Sequence, residues 1–120
     1  MTQMPDHISI ISNLNEHLPK FQANEPERVG FILQDGTVIE VPNIIGSEGK
    51  DEFQVAGQHI LEYVISGKAF ATWHTHPRKD ANLTVPDHEM FLRYPELEHY
   101  IIGTDGIRRY LVKNGRVING

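Results

Sequence analysis

The segment formed by residues 69–76, which is followed directly by Pro77, sets the strongest limit on how this chain can fold. It is predicted to be a buried strand, and Pro77 ends it because proline cannot continue the hydrogen bonding of a strand. Side chains alternate between the two faces of a strand, so His74 and His76 point to the same side. Asp87 follows eleven residues after His76, where a helix is predicted to begin. Two imidazoles and one carboxylate would leave a fourth position open on a tetrahedral zinc ion, as in catalytic zinc sites.

Each part of this pattern also has a purely structural interpretation. Histidines are common on half-exposed strands. Thr84 and Asp87 stand three residues apart, which is the spacing of a helix N-cap with its capping box. Asp80 is predicted to be a turn residue, although it could also bind a ligand imidazole. The combination, with Pro77 directly after the second histidine, favours a metal site.

The same residues resemble the motif of the JAMM (MPN-plus) metalloproteases, which is His-x-His-Pro, six residues, and then Ser/Thr-x-x-Asp. In this chain the motif comprises His74, His76, Pro77, Thr84 and Asp87. The family also places a catalytic glutamate upstream, in a Glu-x-x-Gly context before an apolar run, and Glu27 and Gly30 match it. The resemblance spans roughly residues 26–110, and threonine stands at position 84 where the family usually has serine.

The resemblance implies a zinc-dependent peptidase or isopeptidase that hydrolyses an amide bond. His74, His76 and Asp87 would bind Zn²⁺, with water in the fourth position. Glu27 would act as general acid and base, and Thr84 would donate a hydrogen bond to the oxyanion. The expected partner is a peptide or a ubiquitin-like protein substrate. Because the chain is compact, it is most similar to small prokaryotic or phage-tail-type members, which makes phage tail assembly proteins further candidate partners.

Three alternatives remain open from the sequence. Glu27 could be a capping or surface carboxylate. The chain could be a catalytically silent MPN-type scaffold or assembly module, although such relatives normally lose ligands. It could also be a metal-dependent hydrolase of another amide, but the absence of cysteine argues against the chemistry of the base deaminases.

Composition narrows the classes of function. The 120 residues are expected to form a single domain, residues 1–120. The net charge of −5 and the scattered basic residues argue against nucleic acid as a partner. No apolar run approaches the ~20 residues of a membrane helix. The chain has no cysteine and no recognisable signal peptide, so a cytoplasmic location is expected.

The pattern of apolar residues predicts helices over residues 6–18, 57–65 and 87–94. It predicts strands over residues 29–33, 37–41, 53–55, 69–76, 99–103, 107–112 and 116–118. The helix at 57–65 is expected to bury one face, made by Ile60, Leu61, Val64 and Ile65. This order indicates an α/β (α+β) fold, with a mixed sheet flanked by helices. The resemblance implies a curved sheet of the JAMM, cytidine-deaminase-like architecture. Loops 43–57 and 77–86 are expected to shape substrate specificity.

Overall fold

A computed structural model describes residues 6–18, 25–45 and 52–120. The predicted loop 43–57 is therefore only partly covered, since residues 46–51 lie outside the described ranges. The described helices are α1 (His7–His17), α2 (Gly57–His59), which continues directly into a π-helix (Ile60–Ile65), and α3 (Val85–Arg93). The described strands are β1 (Val29–Leu33), β2 (Val38–Val41), β3 (Ala69–Thr75), β4 (Glu98–Gly103), β5 (Gly106–Lys113) and β6 (Arg116–Asn119).

All of these strands belong to one mixed sheet. Their spatial order is β2-β1-β3-β4-β5-β6. Strands β3 and β4 are parallel, and every other neighbouring pair is antiparallel. A parallel pair needs a crossover connection, and α3 lies in the crossover between β3 and β4. The predicted mixed sheet flanked by helices is confirmed.

Helices cover both faces of the sheet. Asp6 caps α1 by accepting a hydrogen bond from the Ser9 N–H at 2.7 Å. The buried face of α1 packs on one side of the sheet, in a cluster formed by Ile10, Leu14, Leu18, Ile32, Ala71, Trp73, Tyr100 and Ile102. The opposite side of the sheet packs against the π-helix and α3, in clusters that include Val29, Phe31, Val41, Phe91 and Ile101. Because β3 alternates, Trp73 faces α1, whereas His74 lies on the side of α3.

Two local predictions are wrong. Residues 53–55 are not a strand; Gln54 accepts one main-chain hydrogen bond, from the Ile44 N–H, instead of joining a ladder. The helix at 57–65 becomes a π-helix, whose hydrogen bonds span one residue more than those of an α-helix. This shifts the side chains around the axis, so Ile60 and Val64 pack against the core while Leu61 and Ile65 are 65% and 68% exposed.

The other boundaries lie close to those predicted. Helix α3 begins at Val85 rather than at Asp87, because Thr84 is its N-cap. Strand β3 ends at Thr75, although the His76 N–H continues the pairing by donating to the Ile102 carbonyl at 2.8 Å. Within the described part of the chain, no helix has the length and apolar character needed to cross a membrane.

Candidate metal centre

The end of β3 brings two buried imidazoles together. His74 and His76 are 0% and 1% exposed, and their Nε2 atoms lie 3.3 Å apart. They share a side of the sheet because they are two residues apart in an extended segment. The ring of His74 packs against Phe53, with the ring centroids 4.7 Å apart. The predicted convergence of the two histidines is therefore observed. The sequence did not indicate that Phe53 packs against this site.

Asp87 reaches both imidazoles from the first turn of α3. Its Oδ1 lies 3.1 Å from His74 Nε2, and its Oδ2 lies 3.1 Å from His76 Nε2. The Thr84 N–H donates to Asp87 Oδ2 at 3.0 Å, and the Asp87 N–H donates to Thr84 Oγ1 at 3.4 Å. This reciprocal pair is a capping box, which begins the helix and fixes the carboxylate at the same time.

The spacing of these atoms fits one small ion. In a tetrahedral zinc site with ligand bonds of about 2.0–2.1 Å, neighbouring ligand atoms are about 3.3 Å apart. His74 Nε2 and His76 Nε2 lie 3.3 Å apart, and each lies 3.1 Å from a different oxygen of Asp87. Two imidazole nitrogens and a carboxylate are also donors that zinc accepts. The donor set and its close spacing are therefore compatible with a small ion such as zinc.

Glu27 completes the cluster from the segment before β1. Its side chain is 3% exposed, and ligand atoms of Glu27, His74 and His76 all lie within 4.8 Å of one another. The register of β1 against β3 pairs Val29 with His74, which brings Glu27 beside the end of β3. This buried group could itself hold a metal ion, so the geometry is compatible with Glu27 as a ligand or as a base next to the ion.

Hydrogen bonds from two directions hold the main chain of Glu27. The neighbouring Arg28 exchanges two bonds with Thr75: its N–H donates to Thr75 Oγ1 at 2.8 Å, and its carbonyl accepts from the Thr75 N–H at 2.9 Å. On the other side, Asn43 Nδ2 donates to the Glu27 carbonyl at 2.9 Å. Glu27 is thus tied both to the strand that carries the histidines and to the chain after β2.

Burial and hydrogen bonding shift the pKa values of all three proposed ligands. Burial is the largest influence on Asp87 and opposes its ionisation, but hydrogen bonds from His74 and His76 outweigh it and hold the pKa of the carboxyl well below its usual range. Burial lowers the pKa of His74. Burial also acts to lower the pKa of His76, but hydrogen bonds to Asp87 and to the Asp80 carbonyl outweigh it and raise that pKa. An ionised Asp87 and a neutral His74 are in the forms that bind a metal, whereas a protonated His76 must first release the proton on Nε2.

A groove of about 340 Å³ leads to this cluster. It runs between α3 and the segment after residue 51, and Glu27 and Asp87 lie among its lining residues. Its apolar lining comes chiefly from Phe53, Val55, Ile60, Met90 and Tyr94. An extended chain lying in this groove would therefore pass the proposed ligands.

The predicted site residues are all brought to one place. Thr84 Oγ1 already accepts a hydrogen bond from the Asp87 N–H, and a hydroxyl that accepts one bond can still donate another. Asp80 does contact a ligand imidazole, but through its main chain. Its carbonyl accepts a hydrogen bond from His76 Nδ1 at 2.8 Å, while its carboxylate accepts one from the Asn82 N–H. A main-chain carbonyl carries no residue-specific signal, so the sequence could not have identified it.

Neither a protein-family model nor a curated protein sequence matches the chain significantly. Among solved structures, the fold is similar to the solution structure of protein DSY2949 from Desulfitobacterium hafniense, with a TM-score of 0.60. The two sequences are 17% identical, and the alignment covers 94% of this chain and 84% of that chain. At this level of identity the similarity concerns the fold alone, and it extends over nearly the whole chain.

Proposed function

We propose that the protein is a zinc-dependent peptidase or isopeptidase of the JAMM type. The observation that supports this most strongly is the spacing of the His74, His76 and Asp87 ligand atoms, 3.1–3.3 Å, with the Glu27 carboxylate buried beside them. The mixed sheet flanked by helices is compatible with the curved, deaminase-like architecture of that family.

In this mechanism His74, His76 and Asp87 hold the metal. A bound zinc ion would supply Lewis acidity, which activates a water molecule and polarises the scissile carbonyl. Glu27 takes a proton from the attacking water as the water oxygen bonds to the carbonyl carbon. The Thr84 hydroxyl donates a hydrogen bond to the carbonyl oxygen as negative charge develops on that oxygen. When the C–N bond breaks, Glu27 delivers the proton to the leaving amine, which leaves a carboxylate and an amine as products.

The groove defines the class of substrate in this proposal. Its lining is divided between apolar and charged or polar side chains, with Glu27 and Asp87 among them, and an extended peptide segment is the substrate that we propose for it. The tail of a ubiquitin-like protein, joined through a peptide or isopeptide bond, has this form. Proteins of phage tail assembly are a second source of such a segment.

The experiment compares Glu27→Gln with wild type, using Glu16→Gln as the control because Glu16 lies exposed on α1. Zinc content is measured by elemental mass spectrometry, and hydrolysis is measured on a panel of peptide-linked and isopeptide-linked substrates. We expect Glu27→Gln to keep its zinc and to lose turnover by ~10²–10⁴-fold, because only proton transfer is removed.

Other outcomes discriminate between the roles. Loss of zinc from Glu27→Gln would make Glu27 a ligand rather than the base. Turnover within a few-fold of wild type, with zinc bound, would exclude both roles. Zinc binding without turnover of any substrate in the panel, even in wild type, would favour the catalytically silent scaffold.

A further inference from the structure

His76 is the proposed ligand whose Nδ1 contacts a main-chain carbonyl. A carbonyl oxygen can only accept, so the 2.8 Å contact with the Asp80 carbonyl places a hydrogen on His76 Nδ1. Nε2, which faces His74 and Asp87, is then the nitrogen whose lone pair can bind a metal when the ring is neutral. By contrast, His74 Nδ1 has no hydrogen-bond partner in residues 6–18, 25–45 and 52–120.

The segment that carries this carbonyl is tied to the β4–β5 hairpin on both sides of Asp80. On one side, the Thr104 N–H donates to the Lys79 carbonyl at 3.0 Å. On the other side, Asp105 Oδ1 accepts from the Ala81 N–H at 2.9 Å, and the Tyr110 hydroxyl donates to the Ala81 carbonyl at 2.8 Å.

The hairpin also packs directly against the main chain of this segment. A Cβ atom at Gly103 would lie 2.4 Å from the Asp80 carbonyl carbon and 2.3 Å from the Ala81 nitrogen. Such close approach is possible only for glycine. The position of the Asp80 carbonyl is therefore set by Gly103, the last residue of β4, as well as by the hydrogen bonds that the hairpin makes to Lys79 and Ala81.

We propose that the β4–β5 hairpin, through Gly103, Asp105 and Tyr110, positions the Asp80 carbonyl so that His76 keeps its hydrogen on Nδ1 and presents Nε2 to the metal. These are positioning residues, because they act through the Asp80 carbonyl and touch neither metal nor substrate. The role of this arrangement in metal binding rests on the proposed function, whereas the hydrogen on His76 Nδ1 follows from the contact with the Asp80 carbonyl alone.

Tyr110→Phe and Asp105→Ala test this inference, singly and together. Phenylalanine retains the ring that packs on Phe91, at 5.6 Å between centroids, and removes only the hydroxyl. Tyr100→Phe is the matched control, because Tyr100 is equally buried but its hydroxyl binds Glu98, away from the segment at Asp80. Two quantities are measured: zinc affinity by competition with a chelator, and the ring nitrogens of His76 by long-range ¹H–¹⁵N NMR of the zinc-loaded protein.

In wild type and in Tyr100→Phe we expect a slowly exchanging His76 Nδ1–H and zinc bound through Nε2. In the double variant we expect that proton to exchange faster and zinc to bind roughly 10–100-fold more weakly, the usual effect of losing a group that orients a ligand. An unchanged Nδ1–H signal, or an equal loss of affinity in Tyr100→Phe, would overturn the inference.

The failure of the proposed function gives a different result. If wild type binds no zinc, the metal site is wrong, and the exchange rate of His76 Nδ1–H, measured in the metal-free wild type and variants, still decides whether the hairpin holds the Asp80 carbonyl against His76. If zinc binds normally but no amide is hydrolysed, only the proposed activity is affected.

Discussion

The side chain of Asp87 makes both a local contact within α3 and long-range contacts with β3. In the local contact, Oδ2 accepts the Thr84 N–H and so closes the capping box of α3. In the long-range contacts, both oxygens meet the imidazoles that β3 supplies. The structural interpretation of the Thr84–Asp87 spacing is thus confirmed, and the same carboxylate remains available for the proposed metal site. A helix N-terminus also favours the ionised carboxylate, which is the form that binds a cation.

Gly30 supports the site through packing rather than through backbone freedom. Trp73 on β3 crosses β1 at this residue, and its Nε1 donates to the Ile39 carbonyl on β2 at 3.1 Å. A Cβ atom at Gly30 would lie 1.9 Å from the Ile39 oxygen and 2.7 Å from Trp73 Nε1. The glycine of the Glu-x-x-Gly pattern is therefore required by a side chain that spans three strands.

We accordingly expect Gly30→Ala to lower the free energy of unfolding by about 2–4 kcal/mol, through overpacking and the loss of a buried hydrogen bond. The measurement is urea unfolding, with Gly57→Ala as the control because a Cβ atom at Gly57 would meet nothing within 4 Å. An equal effect of the two substitutions would show that the contact between Trp73 and Ile39 is not the reason for glycine at position 30.

At the scale of elements, the sequence predicted what depends on local spacing and missed what depends on tertiary contacts. The alternation that brings His74 and His76 together is a property of one strand, and it was confirmed. The apolar positions 60, 61, 64 and 65 fit an α-helix, but the folded segment is a π-helix in which Leu61 is exposed. Phe53 was missed for the same reason, since only the folded chain brings it against His74.

His99 joins three elements without taking part in the proposed chemistry. Its Nε2–H donates to the Tyr94 carbonyl at the end of α3 at 3.0 Å, so its Nδ1 accepts from the Thr72 hydroxyl on β3 at 2.7 Å. The ring is fully buried and stacks on Phe91, with centroids 4.3 Å apart. Burial lowers the pKa of His99 from 6.5 to about 4, so the folded protein holds it neutral.

This pKa predicts a loss of stability in acid. The unfolded chain takes up the proton near its ordinary pKa of 6.5, whereas the folded chain does so only near 4. The contribution of His99 is therefore complete above ~6.5 and is lost as the pH falls towards ~4, with a total of roughly 3 kcal/mol. Urea unfolding in the presence of a chelator should show a flatter pH dependence for His99→Gln, which hydrogen-bonds but does not titrate. The same slope in both proteins would contradict this assignment.

At the scale of the whole molecule, the candidate site connects parts of the chain that are distant in sequence. Glu27 precedes β1, His74 and His76 come from the end of β3, and Asp87 begins α3. These positions converge only in the folded state, so the unfolded chain offers a metal no comparable site. Any ion that binds there must consequently stabilise the whole fold, through preferential binding to the native state.

Zinc at about 100 times its dissociation constant should add about 2.7 kcal/mol to the free energy of unfolding. For a chain of 120 residues this corresponds to a rise in Tm of roughly 10 °C, which a chelator should reverse. Calorimetry with and without zinc measures the shift in wild type, in His76→Ala and in His88→Ala. His76→Ala should abolish the shift, whereas His88→Ala should retain it, because His88 is an exposed neighbour of Asp87 on α3. A rise in Tm that persists in His76→Ala would place the metal elsewhere. If zinc does not raise the Tm of wild type, helix capping is the only role left for Asp87.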